Sequence, residues 1–139
     1  PYVSGVNNHM GSKATADMRL MRIVLEQMAE RGLFFLDSRT TPKSVAGGLM
    51  ASMGVTGGVR SIFLDNTRNH DYIRAQLGEL VRTARRTGSA IAIGHPYTET
   101  IDVLLETVPL LKESGIEVVS ITDLMAPGGA EHAGMAGKD

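Results

Sequence analysis

Short runs of β-branched and aliphatic residues alternate along the chain with longer segments of helical periodicity. Five such runs recur at intervals of 27–31 residues, the length of a strand, a helix and two loops; they are 2–6, 33–36, 61–64, 90–93 and 117–121. Between them, four amphipathic segments predict helices: one capped by Thr15 and ending before Gly32, then 44–53, 71–86 and 100–113. We expect Pro109 to kink or break the last of these helices.

The strands are apolar along their whole length, and amphipathic helices separate them. This pattern is typical of parallel sheets covered by helices. It predicts an α/β fold with parallel strands and outer helices, either part of a barrel or an open doubly wound sheet, because five strands are too few to close a barrel. Residues 126–139 have no periodicity and are rich in Gly and Ala, so we expect a disordered tail there.

Composition and charge narrow the classes of partner. The net charge is −1, and no basic run is longer than the pair Arg85 and Arg86, so we expect no nucleic-acid partner. The absence of cysteine excludes a disulfide framework and thiolate metal ligands. No stretch approaches the roughly 18 apolar residues of a membrane span, so we expect no membrane insertion of this segment. The oligomeric state is not predictable from these features.

Polar residues follow the predicted strands. In parallel α/β folds, the loops after the carboxyl ends of the strands meet on one face, where ligands bind. The first four strands are followed there by Asn7, Asn8 and His9; by Asp37, Ser38 and Arg39; by Asp65 and Asn66; and by Gly94, His95 and Pro96. We therefore expect the two histidines and two aspartates of this set to approach one another at one face.

These residues also have structural interpretations. Asp37 is equally suited to a capping turn before the helix that follows it. Asp65 is suited to capping the next helix, although Asn69 is better placed for that role. His9 and His95 are also compatible with structural histidines packed in the core.

Four segments, in this order, resemble the divergent polysaccharide deacetylase family, a bacterial and usually exported branch of the polysaccharide deacetylases with the NodB-type fold. They are 5–12 (GVNNHMGS), 34–40 (FFLDSRT), Arg60 with 63–66 (FLDN), and 91–96 (IAIGHP). The resemblance covers nearly all of residues 2–124. It implies that residues 1–125 are the C-terminal portion of a distorted (β/α) barrel domain of the deacetylase type.

The resemblance also implies a reaction, the metal-dependent hydrolysis of acetyl groups on an N-acetylated glycan, with a divalent metal, commonly zinc, as cofactor. His9 resembles the first histidine of the family's metal motif and is the expected metal ligand. Lys13 stands where the second motif histidine would be, and a protonated lysine cannot bind a metal. His95 resembles the late histidine that protonates the leaving amine and is the expected catalytic acid.

The other expected site residues follow from the same resemblance. Asp37 and Asp65 are expected to complete the catalytic set by orienting an imidazole or the attacking water. Asn8, Arg39 and Asn66 are the expected substrate contacts. The aspartates that supply the base and the first metal ligand belong to a strand upstream of the first residue, so we expect such a segment to precede this chain. The family also implies a periplasmic or otherwise exported protein.

Two other functions remain open. A non-catalytic envelope protein that retains a sugar-binding or metal-binding cleft is favoured by the loss of the second motif histidine. An unrelated α/β hydrolase is disfavoured because four motifs occur in the family's order. Metal content would separate a deacetylase from a binding protein.

Overall fold

The computed structural model describes residues 2–126, in which strands and helices alternate. The element order is β1 (Gly5–Asn7), α1 (Ser12–Thr15), α2 (Met18–Glu30), β2 (Phe34–Asp37), α3 (Ala46–Met53), β3 (Gly57–Val59), β4 (Ile62–Phe63), α4 (His70–Thr87), β5 (Ala92–Ile93), α5 (Thr98–Glu113) and α6 (Ile121–Met125). The chain divides into two compact units, the first ending at Arg60 and the second beginning at Ser61. Of the expected tail, residues 127–139 lie outside the described residues.

The first unit contains a parallel sheet with β2 between β1 and β3. The register places Val6 opposite Phe35 and Leu36 opposite Gly58. Phe35 and Leu36 are adjacent in β2 and both buried, which is the expected result for a strand covered on both faces. Its hydrophobic core joins the sheet to the helices through Met21, Leu25, Phe35, Ala46, Leu49, Met50 and Val55.

The second unit pairs β4 and β5 in parallel, with Phe63 opposite Ile93. Its core cluster consists of Leu64, Ile73, Leu77 and Val103. These residues come from the end of β4 and from α4 and α5, whose apolar faces were evident in the sequence. The predicted α/β fold with parallel strands and outer helices is confirmed. No helix in the described part of the chain is long and apolar enough to cross a membrane.

The helices α2 and α4 begin at side-chain caps. Asn69 Oδ1 accepts hydrogen bonds from the backbone N–H groups of Asp71 and Tyr72, so Asn69 caps α4, as its position suggested. The prediction that Thr15 caps α2 is wrong, because the carboxylate of Asp17 accepts the hydrogen bond from the Leu20 N–H at 3.0 Å. An aspartate is a strong N-cap, and its charge is favourable at the positive end of the helix.

The predicted strand at 117–121 is wrong. Ser120 caps the short helix α6 instead: its Oγ accepts from the Asp123 N–H at 3.1 Å and donates to the Asp123 carboxylate at 2.7 Å. Val118 and Val119 are exposed, so their β-branched side chains find no sheet face to cover. β-Branched composition favours a strand only where a neighbouring strand accepts it.

Two further differences concern Pro109 and β3. The helix α5 continues through Pro109, so the expected break does not occur, although this residue has no N–H to donate; the expected kink stays a prediction. The strand β3 was not predicted because its sequence, Gly57–Val59, carries little hydrophobic signal. Both glycines of β3 pair in register with the buried strand β2.

We expect the Gly57→Ala variant to lose about 1–3 kcal/mol of unfolding free energy. A Cβ at position 57 would overlap the carbonyl oxygen of Phe35 and the sulfur of Met50, and the carbonyl belongs to a sheet backbone that cannot move aside. Gly48→Ala is the matched control, because a Cβ there meets no heavy atom within 4 Å, and alanine favours the helix α3. Urea denaturation followed by circular dichroism measures both variants. Equal stability of the two variants would contradict the prediction.

Candidate functional site

The site residues expected from the sequence fall into two groups, one in each unit. The first group is Asn8, His9, Asp37 and Arg39, and the second is Asp65, Asn66 and His95. Within each group the residues lie in or just beyond the carboxyl ends of paired parallel strands, as the sequence indicated. The approach of the two groups to one another stays a prediction.

In the first unit, the carboxylate of Asp37 organises the loop after β2. Its Oδ1 accepts a hydrogen bond from the Arg39 N–H at 2.8 Å, and its Oδ2 accepts one from the Ser44 hydroxyl at 2.7 Å. The residue is 1% exposed. The bond to the second following N–H makes an Asx turn, but Asp37 does not cap α3, which begins without a side-chain cap. The catalytic role expected of Asp37 stays a prediction.

Two asparagines join the end of β1 to the end of β2. Asn7 Nδ2 donates to the Leu36 carbonyl at 2.8 Å and to Ser38 Oγ at 2.7 Å. Asn8 Oδ1 accepts from the Ser38 N–H at 2.8 Å, and the Ser38 hydroxyl donates to the Asn8 carbonyl at 2.7 Å. These bonds fix the position of Asn8, whose Nδ2 atom is buried without a partner among the described residues. The substrate contact expected of Asn8 stays a prediction.

Arg60, directly after β3, holds the backbone that follows β2. Its Nε donates to the Ser38 carbonyl at 2.6 Å, and its Nη2 donates to the Arg39 carbonyl at 2.9 Å. Arg39 adopts a φ of 47°, a left-handed conformation that is uncommon outside glycine, and its two flanking hydrogen bonds stabilise that conformation. Burial and the nearby charge of Arg39 lower the pKa of Arg60, and Asp37 opposes this effect. Through its two hydrogen bonds, Arg60 fixes the backbone at Arg39, where the chain leaves the sheet.

The expected metal ligand, His9, is exposed after β1, and Lys13 lies in α1. The described residues contain no group of three or more His, Asp or Glu side chains that is able to hold one metal ion. A zinc site needs three or four protein ligands. The residues of this part of the chain therefore do not make a zinc site by themselves, and the dependence on zinc stays a prediction.

In the second unit, Asp65 and His95 form a hydrogen-bonded pair. The strand register explains this pair. Phe63 pairs with Ile93, and Asp65 and His95 each stand two positions further along the chain, so they lie side by side. Asp65 Oδ1 and His95 Nδ1 are 3.0 Å apart, and Asp65 Oδ2 accepts from the His95 N–H at 2.5 Å. The Asp65 side chain is fully buried, whereas the His95 side chain is 39% exposed. A buried carboxylate that orients a partly exposed imidazole is the geometry of an acid–base histidine.

The charge of Asp65 determines which imidazole nitrogen carries the hydrogen. Burial raises the pKa of Asp65, but hydrogen bonds from the His95 backbone, the His95 ring and the Thr100 hydroxyl outweigh it, so the pKa lies below its ordinary value. An ionised carboxylate only accepts hydrogen bonds. His95 Nδ1 is therefore the donor, and Nε2 is the nitrogen that is free to exchange a proton with a substrate.

Two aromatic rings flank the His95 imidazole. The ring centroid of Phe63 lies 5.5 Å from that of His95, and the centroid of Tyr97 lies 5.0 Å from it. The Arg68 guanidinium stacks 4.1 Å above the Tyr97 ring and pairs with Glu99 at 3.1 Å. These ring contacts limit the freedom of the imidazole to which Asp65 is hydrogen-bonded.

Comparison with known proteins identifies the family of this chain. The sequence model described as divergent polysaccharide deacetylase matches residues 1–125. The chain belongs to the divergent polysaccharide deacetylase family. This match confirms the family resemblance that the four sequence segments indicated.

Two bacterial proteins are similar to this chain in sequence. The chain is 46% identical over 120 residues to an uncharacterized protein of Haemophilus influenzae (strain ATCC 51907 / DSM 11121 / KW20 / Rd), over 86% of this chain and 42% of that relative. It is 42% identical over 108 residues to the uncharacterized protein YibQ of Escherichia coli (strain K12), over 78% of this chain and 34% of YibQ.

A solved structure supports the fold. The chain matches the crystal structure of an uncharacterized protein from Agrobacterium tumefaciens C58 with a TM-score of 0.84 and 29% identity, over 87% of this chain and 49% of that one. The chain thus spans less than half the length of each of these three relatives.

Sequence reasoning missed Thr100 as a site residue of this deacetylase family member. Its hydroxyl donates to Asp65 Oδ2 at 2.9 Å, across 35 positions of sequence. The available signal was its place on the buried face of α5, where it lies three residues before the buried Val103. A polar residue on an apolar helix face needs a hydrogen-bond partner.

Proposed function

We propose that this chain takes part in the hydrolytic removal of acetyl groups from an N-acetylated glycan, with His95 as the acid–base residue. The observation that carries the proposal is the Asp65–His95 pair, with its buried carboxylate and partly exposed imidazole. Family membership supports the choice of an acetylated glycan as substrate. Because the family's proteins are usually exported, we place the protein in the periplasm or another exported location.

The role of His95 follows from the chemistry of an acetamide. Hydrolysis adds water to the acetyl carbonyl carbon and then breaks the C–N bond, and the nitrogen leaves as an amine only after it has gained a proton. Protonated His95 donates that proton from Nε2, and the hydrogen bond from Nδ1 to Asp65 stabilises the imidazolium before the transfer. The products are acetate and the free amine of the sugar.

The remaining expected residues complete the proposal. Arg39 and Asn66 are exposed beyond β2 and β4, where their side chains are available to donate hydrogen bonds to glycan hydroxyls. Zinc is proposed as the cofactor from the family resemblance, with His9 as its ligand from this chain. When bound, zinc would polarise the acetyl carbonyl and lower the pKa of a bound water.

A second candidate function is glycan binding without hydrolysis. One observation favours it: Lys13 occupies the position of the second motif histidine. The Asp65–His95 pair would then serve only to bind a sugar hydroxyl.

The purified protein, incubated with N-acetylglucosamine oligosaccharides, distinguishes these candidates. Mass spectrometry of the sugars and an enzymatic assay of acetate measure the reaction, with added zinc and after treatment with a chelator. Acetate and free amine released in equal amounts support the proposed hydrolysis. Binding of the oligosaccharides in calorimetry, without acetate release under any of these conditions, would replace it with the second candidate.

A further inference from the structure

We infer that Thr100 is a positioning residue for the Asp65–His95 pair, because its hydroxyl holds the carboxylate in the orientation that keeps the hydrogen on His95 Nδ1. The inference deepens the proposed acid–base role of His95 and rests on it for its functional meaning. Its structural content is independent of any activity. Thr100 donates its hydrogen bond to the carboxylate, so it acts on the imidazole through Asp65.

The geometry around the carboxylate supports this role. The Thr100 hydroxyl donates to Asp65 Oδ2 at 2.9 Å, and the His95 N–H donates to the same oxygen at 2.5 Å. Two donors from different residues hold Oδ2, so a rotation of the carboxylate about its Cβ–Cγ bond would disturb both hydrogen bonds. Oδ1 is therefore kept at 3.0 Å from His95 Nδ1.

The position of Thr100 in the helix explains why this residue type is needed. Threonine is a weaker helix former than alanine or leucine, and in a helix its hydroxyl often bonds a carbonyl of the preceding turn. Here the hydroxyl bonds instead to a side chain from another segment of the second unit, and the residue is 2% exposed. Its methyl carbon Cγ2 lies 3.3 Å from the place where a Cβ on Gly94 would stand. The hydroxyl thus bonds to Asp65, and the methyl lies beside Gly94, the residue before His95.

Valine at position 100 would keep this shape and remove the donor. Asp65 Oδ2 would then retain the His95 N–H as its remaining donor among those described, and the carboxylate would gain freedom to turn. A carboxylate that rotates forms a less constant hydrogen bond with Nδ1. Because neutral imidazole carries its hydrogen on either nitrogen, the Nδ1–H tautomer would then be less strongly favoured. The loss of one hydrogen bond also raises the pKa of Asp65, because that bond is among those that lower it.

Ring-nitrogen NMR of the ¹⁵N-labelled protein tests the inference without any substrate, because the shifts of Nδ1 and Nε2 report the tautomer directly. The variants are Thr100→Val, Thr100→Ser, which keeps the hydroxyl, and the control Thr98→Val, at an exposed threonine of the same helix turn. We expect the neutral His95 of the wild type, Thr100→Ser and Thr98→Val to show the Nδ1–H tautomer. Thr100→Val is expected to show a mixture of both tautomers and, if the glycan is hydrolysed, about tenfold slower acetate release.

An unchanged tautomer in folded Thr100→Val would overturn the inference. If Thr100→Val does not fold, Thr100→Ser decides: a wild-type tautomer in this variant supports the hydroxyl as the functional group, and a mixture of tautomers shows that packing of the methyl was responsible and overturns the inference. Wild-type protein that releases no acetate but shows the expected tautomers would remove the proposed function and leave the positioning role of Thr100 intact.

Discussion

Replacing His95 with asparagine is expected to slow acetate release by about 10²–10⁴-fold, the usual contribution of a positioned acid or base. The asparagine amide nitrogen stands near the place of Nδ1, so it continues to donate to Asp65 and the buried carboxylate keeps its partner. No group replaces Nε2, so the leaving nitrogen has no acid. Steady-state rates of acetate release from N-acetylglucosamine oligosaccharides measure the effect on turnover and on KM separately.

His70→Asn is the matched control for this experiment. His70 belongs to the same unit and is also partly exposed, but its imidazole faces Asp102 at 3.5 Å, on the surface between α4 and α5. An exposed pair of this kind contributes little to stability. We expect this variant to retain wild-type turnover and stability. A similar loss of turnover in both variants, or no loss in His95→Asn, would show that His95 is not the acid.

The parallel strands were predictable because their signal is local. The strand β2 is apolar from Phe34 to Leu36, and the helices before and after it along the chain end just before Gly32 and Gly54. The strand β3 lacked an apolar run. Its first residue, Gly57, fits beside Phe35 in the sheet because it has no side chain. The pairing of β3 with β2 therefore depends on tertiary contacts, which a pattern of three residues does not predict.

The segment 117–121 shows the opposite error. Its β-branched residues predict a strand, but one serine at position 120 forms two hydrogen bonds with Asp123 and begins a helix. A local cap of this kind is worth about 1 kcal/mol, and a strand without a partner has no comparable gain.

The sequence indicates which residues follow the strands at the candidate site, but not which of them bond to each other. Asp65 and His95 were found because each follows a predicted strand, a rule of parallel α/β folds. That they bond to each other depends on the register of β4 and β5, which the sequence alone does not reveal. Thr100 depends in addition on how α5 packs in the second unit, so its role required the structure.

Replacing Asp65 with asparagine is expected to reduce turnover on the order of 10⁴-fold, the upper end of the loss expected for His95→Asn. The Thr100 hydroxyl and the His95 N–H both point at one oxygen, so the asparagine carbonyl takes that place. Its amide N–H₂ then faces His95 Nδ1 and forces that nitrogen to accept, which moves the hydrogen to Nε2. Neutral His95 is then held in the wrong tautomer, and its imidazolium loses the carboxylate that stabilises it. Ring-nitrogen NMR would show the Nε2–H tautomer directly.

The same variant tests the electrostatics of the site through stability. The folded-state pKa of Asp65 lies below its value in the unfolded chain, about 3.9, so the ionised carboxylate stabilises the fold above that pH. This stabilisation is lost as the pH falls through the lower, folded-state pKa. Asparagine has no charge to lose, so the difference in unfolding free energy between wild type and Asp65→Asn should be largest at neutral pH and shrink below about pH 4. Urea denaturation at pH 7 and pH 3 measures it, and a difference that does not change with pH would show that the hydrogen bonds of Asp65 do not depend on its charge.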